Sequence, residues 1–203
     1  MKEVVKLMDY RPDIKIVDAT LRDGGLVNNF RFTDEFVKDL YQTNIKAGGD
    51  VMEFGYKADK EMFDVKDFGK WKFCDDEDIR AVVGDNNTDL KIAVMADVGR
   101  CNYKQDIKPR AESPVDVIRV ATYINQIPSA VDVIEDAVAK GYEVTCNIMA
   151  ISNAQEADIR VALDLLGKSP VNVIYIVDSF GALFPEQIAR FAALYGEYAA
   201  KYG

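Results

Sequence analysis

Short apolar runs alternate along the chain with longer segments whose apolar residues recur every three to four positions. The runs cover residues 14–17, 50–55, 91–95, 115–120, 143–148 and 171–177. They are near-continuous rather than alternating, which is how strands buried on both faces of a parallel sheet read. Between them lie helix patterns with recognisable ends. Thr33 is placed to cap a helix that carries Asp34 and Glu35 in its first turn, and Gly48-Gly49 stops it. Its apolar stripe is Phe36, Val37, Leu40 and Tyr41. Residues 129–140 predict a second helix ended by Gly141. Asn153 and Glu156 predict a capping box for a third, which runs through Leu166 and closes at Gly167 and Pro170. Residues 75–83 predict a short helix, and Pro185 sits where a last helix towards Lys201 would begin.

Repeated strand–helix units imply a parallel α/β sheet with right-handed crossovers. A doubly wound open sheet and a β/α barrel both meet that description. No Gly-x-Gly-x-x-Gly or Walker-type loop follows any run, which weakens the first. Six units fit in 203 residues, whereas a full eight-unit barrel usually takes about 250 residues. No Pro-, Gly- or Ser-rich linker divides the chain, so residues 1–203 read as a single domain. Residues 56–73 predict a long loop whose Lys and Asp are either solvated or arranged as a lid over a site.

Charge and composition then remove whole classes of function. The net charge of −9 disfavours nucleic acid and anionic membrane surfaces as partners. There is no histidine, which excludes Ser-His-Asp and Cys-His nucleophiles and His-ligated zinc within this chain. Cys74, Cys101 and Cys146 are odd in number and widely spaced, as in reduced, cytosolic proteins. Cys146 lies in a strand run and reads as a core residue. The first ten residues lack the apolar stretch of a leader, and no apolar run approaches the ~20 residues of a membrane span. These features predict a cytoplasmic protein.

Polar residues gather where the runs end. Asp18, Arg22 and Asp23 follow the first, Glu53 lies in the second, and Asp97 follows the third. Arg119 is near the end of the fourth, Asn147 in the fifth, and Asp178-Ser179 closes the sixth. Ligand sites in parallel α/β folds form at the carboxyl ends of strands. Carboxylates with two arginines at such a face suit a divalent cation, Mg²⁺ or Mn²⁺, holding an anionic substrate. Each residue also has a plainer explanation. Asp18 and Asp178 are placed to cap helices, Arg119 to pair with a neighbouring acid, and Asp23-Gly24 to make a turn. Tyr195, Tyr198 and Tyr202 on the last helix read as packing. Glu53 is the hardest to explain away, because a carboxylate in an apolar strand needs a partner.

Residues 16–24, Ile-Val-Asp-Ala-Thr-Leu-Arg-Asp-Gly, resemble the first-strand signature of the pyruvate-dependent aldolases and acyl-transferring synthases. That superfamily of Asp-Arg-Glu metallolyases includes hydroxymethylglutaryl-CoA lyase, isopropylmalate and homocitrate synthases, and 4-hydroxy-2-oxovalerate aldolase. Residues 51–55, 115–121 and 177–185 resemble its second, fourth and sixth strands, in the right order. The resemblance implies a TIM (β/α)8 barrel, here with about six units and the last two missing. It also implies a divalent metal held by Asp23, an enolate stabilised by Arg22, and Glu53 in support of both. Arg119, Asn147, Asp178, Ser179 and Asp97 are the remaining candidates for binding substrate.

Two features depart from that family. Its His-x-His metal ligands on the seventh strand are absent, and Leu26 stands where its 4-hydroxy-2-oxovalerate aldolases carry a catalytic histidine. The expectation is therefore the front part of a metal-dependent aldolase or lyase for a 2-oxo acid such as pyruvate. An acyl-CoA-dependent Claisen-type synthase and a non-catalytic binding module are the alternatives. The first and sixth strands would be open edges, from which a homo-oligomer is expected.

Overall fold

A computed structural model describes residues 13–202. The N-terminal stretch read above for a leader lies outside these residues. Six parallel strands form one sheet in sequence order: β1 (Val17–Asp18), β2 (Val51–Tyr56), β3 (Lys91–Asp97), β4 (Val117–Tyr123), β5 (Glu143–Met149) and β6 (Val173–Tyr175). The sheet curls into a half-barrel with helices outside it. These are α1 (Thr20–Asn28), α2 (Asp34–Ala47), α3 (Asp76–Val83), α4 (Tyr103–Asp106), α5 (Ile127–Ala139), α6 (Glu156–Lys168) and α7 (Pro185–Tyr202). No helix among the described residues is long and apolar enough to cross a membrane.

The central strands lay one continuous apolar face against the helices, while the alternate positions, Glu53, Ala93, Met95, Arg119, Thr145 and Asn147 among them, face the half-barrel interior. Met52, Phe54, Ile92, Val94, Ile118, Val120, Val144, Cys146 and Ile148 are all fully buried. At the amino end of the sheet, one device recurs on alternate strands. An Asp or Asn just before β2, β4 and β6 accepts a backbone N–H from the start of the preceding strand. The pairs are Asp50 with Ile16 (2.9 Å), Asp116 with Ile92 (2.8 Å) and Asn172 with Val144 (2.8 Å). Each side chain closes a ladder that the backbone alone leaves open, so parallel register is set pair by pair.

The helix ends follow the sequence in part. Thr33 caps α2 by accepting the Phe36 N–H, and Gly48 takes the left-handed conformation (φ 73°) that ends it. Pro185 opens α7. The capping box at Asn153 does not form: α6 starts from Gln155 without a side-chain cap and runs through Gly167 to Lys168. The first strand is two residues long, with Ile14 and Ile16 exposed, because an edge strand has a ladder on only one side. β6 is trimmed at its outer edge for the same reason.

The 56–73 segment is more than a solvated loop. Trp71 is fully buried, Phe73 and Cys74 are buried, and Lys57 pairs with Asp76 (2.9 Å) in the interior. Packing here is tight at Gly55 in β2, where a Cβ would come within 1.8 Å of the Trp71 carbonyl oxygen. Gly55→Ala must therefore push the loop off the sheet, and we expect a loss of about 3 kcal/mol in urea denaturation. An unchanged midpoint would show that the segment is not anchored there.

Candidate active site at the carboxyl end of the sheet

Glu53 points from β2 into the half-barrel with no exposed surface. A carboxylate in such a place must be compensated, and two guanidiniums reach it. Arg22 Nε donates to Glu53 Oε2 at 2.9 Å, and Arg119 Nη1 donates to the same oxygen. Arg119 stands on β4, so its contact with Glu53 crosses β3. There the residue in register with Glu53 is Ala93, whose small side chain leaves the passage open. The Arg119 guanidinium also lies 4.8 Å from the centre of the Tyr175 ring on β6. One carboxyl group thus ties together α1, β2 and β4.

Arg22 is carried by a helix. The Arg-Asp-Gly stretch, read from sequence as a strand end running into a turn, is the first half of α1. Asp18 anchors that helix by accepting both the N–H (3.1 Å) and the hydroxyl (3.0 Å) of Thr20. Arg22 Nη1 donates to Asp23 Oδ1 at 2.7 Å. Burial disfavours the Arg22 charge, yet Glu53, Tyr56 and Asp23 outweigh it and raise its pKa. The Asp23 side chain is 68% exposed and that of Arg22 only 18%. Leu26, further along α1, is exposed and brings no proton-transfer group to the mouth.

The other strand-end residues divide. Asp97 closes β3 on the face that Arg119 shares, since Met95 is in register with Arg119 and the pleat repeats every two residues. Its Oδ1 is buried and meets no hydrogen-bond donor among the described residues. Burial raises the Asp97 pKa against the pull of Lys72, Arg100 and Arg22. Asn147 is buried with Oδ1 likewise unpartnered, and its register partner on β6 is Tyr175. Asp178 and Ser179 serve the backbone instead. Asp178 accepts the N–H groups of Ala182 and Leu183 (both 3.0 Å), which lowers its pKa, and Ser179 Oγ accepts that of Ala150 (3.0 Å).

Two residues of the mouth escaped the sequence. Tyr56 ends β2 one position beyond the predicted run, and burial, followed by the charge of Asp97, raises its phenol pKa. Lys72 comes from the long loop, with Nζ 4.4–5.6 Å from the ring centres of Phe63, Tyr56, Phe30 and Phe68. Burial lowers its pKa against the opposing charge of Asp97. Spacing gives no signal for such a contact; only the density of aromatics around residues 54–73 hinted at it. A cavity of about 390 Å³ between α6, β6 and α7 is lined by Tyr195, Tyr198 and Tyr202 but by none of these groups. Cys146 is a core residue, its thiol pushed up to about 12 by burial.

A resident divalent metal needs several oxygen ligands. Among the described residues, no group of three His, Cys, Asp or Glu side chains is placed to hold one. Asp23 is taken by Arg22, and Glu53 by both arginines. These residues do not make a metal centre, and no step below runs through one.

No protein-family model matches the chain. It is 27% identical over 190 residues to 4-hydroxy-2-oxovalerate aldolase 6 of Rhodococcus jostii, covering 93% of this chain and 53% of that protein. The same-named aldolase of Pelotomaculum thermopropionicum is 26% identical over 180 residues, 88% of this chain and 52% of its own. The chain is thus similar in sequence to proteins named 4-hydroxy-2-oxovalerate aldolase. It is also 25% identical over 180 residues to an oxaloacetate decarboxylase of Mycobacterium tuberculosis, covering 87% of this chain and 51% of that one. The chain spans about half the length of the curated relatives it matches. In fold, the chain is similar to the crystallised N-terminal domain of a Bacteroides vulgatus protein classed as an aldolase. The TM-score is 0.70 and the identity 24%, over 91% of this chain and 61% of the other.

The two carboxylates on Arg22 should behave differently on substitution. Glu53→Gln leaves the buried Arg119 guanidinium without its counter-charge and Arg22 with Asp23 alone, and we expect a loss of about 3–5 kcal/mol in chemical denaturation. Asp23→Asn removes an exposed pair and should cost less than about 1 kcal/mol. Equal losses for the two variants would contradict the burial difference described here.

Proposed function

We propose that the chain carries the enolate-stabilising face of an aldolase or lyase acting on a 2-oxo acid. The observation that carries this reading is the buried Glu53 shared by Arg22 and Arg119. Arg22 and Arg119 meet on one carboxylate, with Asp23 as the second, exposed partner of Arg22, so the guanidinium forks are already held in place at the mouth. A 2-oxo acid brings a carboxylate and a keto oxygen, both acceptors suited to the planar fork of Arg. Arg22 retains some exposure through which it can meet them, whereas Arg119 is nearly covered.

Chemistry at C3 of such a substrate places negative charge on the C2 oxygen. A guanidinium already held in position by Glu53 offsets that charge with little reorganisation. The names of the relatives support the same chemistry. Both 4-hydroxy-2-oxovalerate and oxaloacetate are 2-oxo acids, and cleavage of either at the C3–C4 bond leaves the enolate of pyruvate. Asn147 and Asp97 line the approach with unpartnered oxygens that suit hydroxyl or water donors on a substrate.

The reading is tested by exchange of the pyruvate methyl protons with D₂O, followed by proton NMR with and without added Mg²⁺ or Mn²⁺. Exchange above the buffer rate is expected, and Arg22→Lys, which keeps the charge but loses the fork, should slow it about 100-fold. No exchange under any of these conditions would overturn it.

Apolar side chains are exposed at both ends of the sheet: Ile14 and Ile16 beside β1, and Val173, Ile176, Phe180 and Phe184 around β6. This supports self-association of the chain, which light scattering should report as a mass above that of the 22.7 kDa monomer. A monodisperse monomer would count against it.

A further inference from the structure

Forming the enolate from pyruvate itself requires a group that takes a methyl proton from C3, and this chain has no histidine to do so. Each carboxylate at the mouth can be judged by what already holds it. Glu53 is locked by two guanidiniums, and Asp23 is exposed and bonded to Arg22. Asp97 differs from both: Oδ1 is buried, no described donor reaches it, and it faces the half-barrel at the very end of β3.

The charged and titratable groups that act on Asp97 come from each element packed around it. They are Arg22 from α1, Glu53 and Tyr56 from β2, Lys72 from the loop after β2, and Arg100 and Cys101 just beyond β3. Burial strengthens the hold of Asp97 on a proton, and the cations weaken it. Lys72 is the most buried of the flanking lysine and arginine groups outside the Glu53 pair, at 8% exposure. Its ammonium sits among four rings, with no carboxylate at ion-pair distance among the described residues. Tyr56 lies between the two arrangements, its ring against Lys72 and its phenol within the influence of both Arg22 and Asp97.

We propose that Asp97 is the catalytic base of this site and that Lys72 is a positioning residue that sets its charge. The proposal rests on the 2-oxo-acid function above. In the step, the C3–H bond of the substrate breaks and its proton forms an O–H bond on the Asp97 carboxylate. The C–H electron pair becomes the C2=C3 bond, and the carbonyl π pair moves to the C2 oxygen beside Arg22. Returning the proton from Asp97 to C3 reverses the step. No redox partner or further reactant is needed.

The test is the pH profile of pyruvate methyl exchange in D₂O for the parent chain and three variants. Asp97→Asn should slow exchange at least about 100-fold, the scale of a lost general base, while the thermal melt stays two-state. In Lys72→Met the lost positive neighbour raises the Asp97 pKa, so the rising limb of the profile should move to higher pH. Lys72→Arg should restore the parent midpoint, a rescue that a purely structural role would not produce in the midpoint. Exchange by Asp97→Asn at the parent rate would overturn the proposal while leaving the 2-oxo-acid function standing. So would an unmoved midpoint in Lys72→Met, which decides the matter even if Asp97→Asn does not fold. Absence of exchange in the parent chain would remove both.

Discussion

A fully buried carboxylate shared by two guanidiniums is the constraint on which the mouth of this half-barrel depends. Glu53 has no access to water, so its charge is tolerable only while Arg22 and Arg119 both donate to it. Those two residues belong to elements far apart in sequence, α1 and β4. Satisfying one oxygen therefore fixes where the first helix lies against the sheet and how β4 approaches across β3. The desolvation cost of Glu53 is recovered as geometry: a guanidinium is held rigidly at the place where an anionic substrate would enter.

The opposite end of the sheet is built on a different principle. Asp50, Asp116 and Asn172 each reach back to the preceding strand and accept a backbone N–H. These short polar side chains consume their hydrogen-bonding capacity in holding parallel register, and nothing is left for a ligand. At the carboxyl end the reverse holds. Glu53, Asp97, Asn147 and Arg119 all keep a buried polar atom without a hydrogen-bond partner among the described residues. Such atoms cost stability, commonly ~1–3 kcal/mol each.

Much of this was legible in the chain. The apolar runs located the six strands of the described residues, because each lays a fully buried apolar face against the helices and its inward face adds small or apolar residues such as Ala93, Met95 and Val117. Thr33, Gly48 and Pro185 marked helix ends through interactions that span only a few residues. The errors fall where distant structure overrules local preference. The Asp-Gly pair after Arg22 reads as a turn, yet it lies within α1, a helix fastened by Asp18 and by the Arg22–Glu53 contact. Asp178 and Ser179 read as strand-end residues, and in the fold both accept nearby backbone N–H groups, contacts that the sequence does not record.

The sequence by itself determined the parallel α/β class, the order of the six units, the absence of imidazole chemistry and the choice of Arg22, Asp23 and Glu53 as residues to watch. All of these follow from residue type and short-range spacing. The tertiary structure alone decided that Glu53 serves two arginines rather than one and that Asp97 Oδ1 is buried with no hydrogen-bond donor among the described residues. It also decided that Lys72 leaves a charged loop to lie among four aromatic rings. These outcomes depend on which side chains meet after the sheet curls. A buried charge takes its partner from whatever the fold brings within reach, and sequence separation carries no record of that.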